Sequence, residues 1–373
     1  MRKMKFCADL KEMNEALAVV TKALSPNVET PILKGIYLSA YGNELYLKCS
    51  DSSVQIETLI PAVIDEEGAA VLPGRLTADL LRKMRGTKVD FETEDNSSVK
   101  VETGKSRSSL QYFPADTYPQ MDELSGDVTF KMKQGIFRSM IKQTAFCCAG
   151  EDEGKAILRG VLMEFTVEGE LNFIALDGFR LAKRTEKVSV KGNTRNAVVP
   201  ARTMQDIANI LSDSDDEITV TLSTTHITVN MGTTKIKARL LKGEYINYRN
   251  ILSKKITSRV VINRAELQES LEIASLFSKE TQNNLVKLDF ENDQLSITAR
   301  SETGSINEAT DITLTGSPIE IAFNSRYLLE IIKAIDDETV ALSFNTSVTP
   351  CIAEPVQGNS FYYLVLPVRI MKN

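Results

Sequence analysis

A chain that repeats itself at about a third of its own length is built from three copies of one unit, and this chain does so. The stretches LPGRLTADLLRKM (72–84), VPARTMQDIANIL (199–211) and FNSRYLLEIIKAI (323–335) align without gaps. Their arginines, Arg75, Arg202 and Arg326, lie 127 and 124 residues apart, and a third of the 373-residue chain is about 124. A second set agrees: NELYL, GELNF and DQLSI place Leu45, Leu171 and Leu295 at intervals of 126 and 124. Long-period repetition speaks to architecture before any motif is interpreted. A chain too long for one core divides into several, here three: 1–124, 125–254 and 255–373.

Each copy has the same order. An early amphipathic helix comes first (LKEMNEALAVVTKAL, KQGIFRSMIKQTAFCC, RAELQESLEIASLF), with apolar residues at i, i+3, i+4 and i+7. A hairpin follows, visible as alternation around turn residues in IYLSAYGNELYLKC, VLMEFTVEGELNFIA and VKLDFENDQLSITA. The second helix and more short strands complete the unit. Strands outnumber helices without regular βαβ alternation, which predicts an α+β protein of antiparallel sheets.

The second helix keeps a pattern: Arg at a reference position, an acid four later (Asp79, Asp206, Glu330), and Arg82, Asn209 or Lys333 seven later. Seven steps fall about 20° short of two full turns, so these positions share a face. The residues at +1, +5, +6 and +9, such as Leu76, Leu80, Leu81 and Met84, are assigned to the opposite, sheet-facing side. Two readings of the polar face stay open. Each Arg pairs with the acid at i+4 on a solvated surface, contributing about 0.2–0.5 kcal/mol, or the face is held for a partner. The early helix of the second copy favours a partner, because 128–150 contains Lys131, Lys133, Arg138 and Lys142 and no acid. Its counterpart in the third copy carries Glu266, Glu269 and Glu272 and does not share that excess.

Composition excludes several classes. No apolar run approaches the length needed to span a bilayer, and MRKMKFCADL lacks the apolar core of a signal peptide, so a cytoplasmic protein is expected. The five cysteines have no C-x-x-C spacing and read as reduced, mostly buried thiols rather than a disulfide framework or a zinc site. A net charge of −6 argues against a surface coated for nucleic acid while leaving room for a local basic face. The single histidine, His226, sits on a predicted strand with no nucleophile signature beside it. GEDEGK (150–155) has glycines too close together for a phosphate loop, and three acids that repel phosphate. ALDGFRLAKR (175–184) contains Asp177, matched by Asp51 in the first copy and Ser301 in the third, and nothing pairs it with a second acid or base. An enzyme built on Asp177 or Asp51 and a three-repeat interaction scaffold are the rival classes on these residues alone.

The motifs TPIL (30–33), DEGKAILRGV (152–161), ALDGFRLA (175–182), VVPAR (198–202), FNSRYLLEII (323–332) and YYLVLPVRI (362–370) together carry a resemblance that spans the chain. It resembles the bacterial DNA polymerase III β subunits, the DNA sliding clamps. The resemblance implies three clamp domains per chain, with sheets outside and helices lining a ring formed by a head-to-tail homodimer around duplex DNA. It also implies a processivity factor without catalytic residues, metal or cofactor. The implied partners are double-stranded DNA, a second copy, the clamp loader, replicative and translesion polymerases, and mismatch-repair and other proteins carrying a clamp-binding motif. The expected DNA-facing residues are Arg75, Arg82, Arg138, Lys142, Arg202, Arg326 and Lys333. Phosphate contacts of this kind are blind to sequence, as sliding requires.

The family also implies an apolar groove between the second and third domains that receives short linear peptides. Carried over position by position, it comprises Leu158, Leu176, Gly178, Phe179, Arg180, Leu181, Ile246, Asn250, Ile251, Asn324, Tyr327, Leu364, Val365, Leu366, Pro367, Val368 and Arg369. Asp177 is then a turn residue, with Gly178 permitting tight backbone geometry. Relatives commonly carry Pro at the position of Ile246 and a polar ring residue at that of Phe179, so a more apolar pocket is expected here. The expected dimer interface includes Leu276 and Phe277 and faces Ser108, where relatives can have an aromatic residue. Asn27 stands where relatives use a basic residue, and Met371-Lys372-Asn373 is expected near the groove mouth.

Overall fold

The computed structural model describes residues 3–25, 27–94, 97–121, 126–252, 255–279 and 284–369. The same order of elements occurs three times among the described residues: a strand, a helix, four strands (with a short extra one in the second and third repeats), a second helix and three strands, followed in the first repeat by the two-residue strand Phe113–Pro114. The early helices are α1 (Leu10–Val20), α3 (Gln134–Lys142) and α5 (Arg264–Ser278); the second helices are α2 (Gly74–Lys83), α4 (Ala201–Ile210) and α6 (Ser325–Lys333). Pairing among the described strands is antiparallel, as in the hairpins Gly35–Tyr41/Glu44–Ser50, Gly160–Phe165/Glu170–Leu176 and Leu285–Glu291/Gln294–Arg300.

Local chemistry sets the helix starts. Asp9 accepts from the backbone nitrogens of Lys11 and Glu12 at 2.8 and 3.1 Å, and Asn263 caps α5 in the same way at 2.9 and 3.2 Å. On the second helices the buried arc differs from the sequence expectation. Gly74, Thr77 and Leu81 are buried in α2, and Ser325, Leu328, Ile331 and Ile332 in α6, whereas Leu76 is 56% exposed and Leu80 only half-buried. At 100° per residue, positions +2, +5, +6 and +9 centre near 190° from the arginine, and +1 falls on the flank. Lys131 and Lys133 also depart from expectation. They lie on the strand Val128–Lys133, not on a helix, and pair with Glu217 at 3.3 Å and Asp215 at 3.0 Å.

The repeats are joined by sheet. Strand Val54–Glu66 of the first pairs with Thr234–Arg239 of the second, Ile56 opposite Ile236. Strand Arg180–Lys187 of the second pairs with Phe361–Val365 of the third. Pairing removes the exposed edges that isolated repeats would carry. Consequently the compact units do not follow the repeats. One unit holds everything up to Gln134 with Val190–Asn193 and Asn209–Leu240; the other holds Gly135–Ser189, Thr194–Ala208 and everything from Leu241. A 14-stranded sheet runs through the first unit, and nine- and four-stranded sheets through the second.

Candidate functional site

The Asp177 loop closes the hairpin between Glu170–Leu176 and Arg180–Lys187. Asp177 Oδ1 accepts from the backbone nitrogens of Phe179 (2.8 Å) and Arg180 (3.0 Å), and Oδ2 accepts from Arg180 Nε (3.0 Å). Both oxygens are therefore engaged and the side chain is buried, which suits a turn and leaves no free base. Gly178 has φ 95°, and a Cβ there would meet nothing within 4 Å, so backbone conformation rather than space asks for glycine. Asp51 makes the same turn in the first repeat, accepting from Ser53 and Val54 at 2.9 and 2.8 Å. There Val54 occupies the position of Arg180, so the arginine belongs to the second repeat's loop.

Arg180 is 6% exposed. Burying a guanidinium without partners is strongly unfavourable, and this one has several. Besides Asp177, it donates through Nη1 to Glu330 on α6 and through Nη2 to the carbonyl of Phe146 at 3.0 Å. Its central carbon lies 4.7 Å from the Tyr327 ring centroid and 5.3 Å from that of Phe146. Glu330 also accepts from Arg326 Nε at 3.0 Å. Partial burial alone would raise the Glu330 carboxyl, but the two arginine hydrogen bonds outweigh it and hold the group below the usual carboxylate range. Phe179 stacks on Tyr327, centroids 5.7 Å apart at 24°, while remaining 51% exposed.

Beside this brace lies an apolar floor. Leu158, Leu176, Leu181 and Leu364 are buried in one cluster with Ile157, Leu162, Ile174, Val198 and Tyr248, and Ile246, Tyr245 and Leu252 pack against it. Leu181 faces Leu364 and Arg180 faces Val365 in the strand register; just beyond, Leu366 N donates to Phe179 O at 2.9 Å. Val368 N donates to Ala322 O at 2.8 Å, leaving Leu366 39% exposed, Pro367 and Val368 half-buried and Arg369 exposed. Asn250 is exposed and Ile251 40% exposed, after the short turn of helix Tyr248–Asn250. Asn324 has a local task, capping α6 by accepting from the backbone nitrogens of Arg326 and Tyr327 at 3.0 and 3.4 Å. The expected groove residues thus divide into a buried floor and an exposed apolar rim of Phe179, Leu366 and Ile251.

Sequence reasoning missed Glu330 as part of this site, because its i+4 spacing to Arg326 already explained it. It also missed Tyr248, whose hydroxyl donates to buried Glu164 at 2.6 Å beside Arg249, itself 2.8 Å from the same carboxylate.

The basic candidates stand in different states. Arg75, Lys142 and Arg202 are exposed. Arg82 pairs with Asp79 at 2.6 Å, Lys333 with Glu272 at 2.8 Å, and Arg138 Nε donates to Ala208 O at 3.2 Å. Leu276 is 64% exposed on α5, and Phe277 is half-buried with its ring 3.3 Å from where a Cβ on Gly304 would stand. Ser108 is half-buried and Asn27 exposed; Met371-Lys372-Asn373 lies outside the described residues. His226 Nδ1 lies 2.8 Å from the Thr225 hydroxyl. No helix among the described residues is long and apolar enough to cross a membrane.

Models of the N-terminal, central and C-terminal domains of the DNA polymerase III beta subunit match residues 4–122, 131–247 and 249–369. The beta sliding clamp of Staphylococcus epidermidis is 30% identical over 370 residues, covering 96% of this chain and 97% of that protein. A DNA polymerase sliding clamp crystal structure from Bacillus subtilis is similar at TM-score 0.94 and 26% identity, covering 99% of this chain and 100% of that one. A putative DNA polymerase III beta subunit from Eubacterium rectale is similar at TM-score 0.92 and 27% identity, covering 98% and 100%.

Proposed function

The chain belongs to the DNA polymerase III beta subunit family, the bacterial beta sliding clamps, and from that premise we propose that it is the processivity factor of a replicative DNA polymerase. Two copies join head to tail through the first domain of one and the third of the other, and the ring encircles duplex DNA. The observation that carries this reading is the threefold repeat, its first and second copies joined in one antiparallel sheet at Ile56 and Ile236 and its second and third in another at Leu181 and Leu364. The exposed Arg75, Lys142, Arg202 and Arg326, on helices α2, α3, α4 and α6, can meet phosphate. Such contacts are electrostatic and insensitive to sequence, so they permit sliding, while the closed ring supplies persistence.

The domains run 1–124, 125–254 and 255–373. The work is topological rather than chemical: Asp177, the acid best placed by sequence to suggest catalysis, is consumed by its own turn and by Arg180. The floor of Leu158, Leu176, Leu181 and Leu364 with the rim of Phe179, Tyr327 and Leu366 receives short peptides from the clamp loader, polymerases and mismatch-repair proteins in the cytoplasm. Phe179, Leu366 and Ile251, exposed beside a buried apolar cluster, offer anchor contacts for that purpose, since recognition rests on few buried contacts. The deciding experiment loads the protein on nicked circular plasmid and then linearises it. Retention on the circle with release from the linear form is expected; equal retention on both would sink the ring.

A further inference from the structure

Glu330 stands between two arginines with different tasks. Arg180 is buried and supports the wall of the apolar site; Arg326 is exposed on α6 and is a candidate phosphate contact. We propose that Glu330 is a positioning residue for the peptide groove, and that sharing it with Arg326 links the charge on the outer face of α6 to peptide affinity. The inference rests on the groove reading above and concerns how that site is regulated.

The geometry runs in sequence. The Arg180 guanidinium is fixed by Asp177, Glu330 and the Phe146 carbonyl. Tyr327, one turn before Glu330 on α6, lies against that guanidinium at 4.7 Å and against the Phe179 ring at 5.7 Å. Phe179 is in turn the residue between Gly178 and Arg180, and its carbonyl holds Leu366 N. Loosening Glu330 from Arg180 therefore frees the guanidinium from α6 and the two rings from each other, and with them the rim at Leu366. The first repeat supplies an internal contrast: its Asp51 turn is the same but Val54 replaces the arginine, so this connection to a second helix is absent from that loop.

Arg326 shares the same carboxylate, bonding its other oxygen and drawing on its charge. A DNA phosphate that draws Arg326 away leaves Glu330 wholly to Arg180 and stiffens the wall. Because an exposed i,i+4 pair is weak, this gain is capped at about twofold in affinity. Losing Glu330 removes a charge-assisted bond to a buried cation and should cost about tenfold. Reciprocity requires that peptide strengthen DNA binding by the same factor as DNA strengthens peptide.

The test uses the full-length protein and a short peptide with glutamine followed by a Leu/Phe pair, titrated by calorimetry, with 3-fluorotyrosine incorporated and the Tyr327 signal assigned through Y327F. Glu330→Gln should weaken peptide about tenfold and move the Tyr327 fluorine resonance. Arg326→Ala should raise affinity, by up to about twofold, and no rise would overturn the link to Arg326. Wild type loaded on circular duplex should shift in the same direction as Arg326→Ala, a measurement that needs no variant to fold. Glu330→Gln within twofold of wild type, with an unmoved resonance, overturns the proposal; so does equal weakening by both variants, which would indicate general helix electrostatics. Leu366→Ala separates the two ideas: if it weakens peptide while Glu330→Gln does not, the groove stands and this inference falls, whereas a wild type that binds no peptide removes the groove itself.

Discussion

Leu181 and Leu364 face each other across an antiparallel strand pair, 1% and 2% exposed, although 183 residues separate them in the chain. Each belongs to a different repeat, and the pair both joins those repeats and floors the apolar site. Leu181 is thus enclosed, whereas Leu366, two residues beyond Leu364, is 39% exposed, so the proposed peptide contact would overlap with stability at Leu181 and not at Leu366.

Leu181→Ala and Leu366→Ala should both weaken a clamp-motif peptide, by about 1–3 kcal/mol each. Only the first should also destabilise the fold, by about 2–5 kcal/mol, because it leaves a cavity in a closed cluster. Calorimetric titration and thermal melting check the two quantities separately. A Leu366→Ala protein that binds peptide like wild type removes Leu366 from the site.

Much of this was legible in the chain because it is local or periodic. The repeat placed Arg75, Arg202 and Arg326 on equivalent helices, and the D-G pair in ALDGFRL marked a turn. What was hidden depends on long-range pairing. Nothing near Val54 or Thr234 says that their strands will meet and carry one sheet through two repeats. Glu330 looked complete with Arg326 four residues away, so its second partner, Arg180, was invisible until the fold brought the two together. The exposed flank position of Leu76 was misread for a simpler reason: a residue 100° from the polar centre is apolar without being buried.

The exposure of Leu276 makes a second prediction. At 64% exposed it contributes little to the monomer's core and is free to meet the proposed partner surface. Leu276→Asp should yield monomers in analytical ultracentrifugation at low micromolar concentration with an unchanged melting profile of the monomer unit. Phe277→Ala should reduce dimer as well but also lower the melting temperature, since its ring packs on the backbone at Gly304. Full dimer retention in the Leu276→Asp protein would contradict the assignment.

DNA contact should differ among the basic residues according to their present partners. Lys142 and Arg202 are exposed, and removing both should lower the slope of log affinity against log salt by about 1.8, or 0.9 per phosphate contact. Lys333 already has Glu272 at 2.8 Å, so Lys333→Ala should change the slope by less than one contact's worth. Fluorescence anisotropy on unrelated duplexes should give the same changes for each sequence; base-dependent losses would point to direct readout and away from sliding.

The last prediction concerns alkaline pH. Cys49, Cys147 and Cys351 are buried, and burial pushes their thiols far up; burial likewise pushes Cys148 up to about 12. An unfolded thiol titrates near about 8.5. Above that pH the unfolded chain releases protons that the native chain keeps, so the native state binds more protons and stability falls as pH rises. The effect is absent below about pH 8 and amounts to about 1.4 kcal/mol per thiol for each further pH unit. Cys49→Ala should leave the melting temperature at pH 7 only moderately lower, through a small cavity, yet should shallow its decline between pH 8.5 and 10 by about one proton's worth. Denaturant melts at a series of pH values give that proton count directly from the slope of unfolding free energy. A Cys49→Ala slope equal to wild type would mean that the thiol is ionised or solvated in the native state, contrary to its burial against the first repeat's sheet.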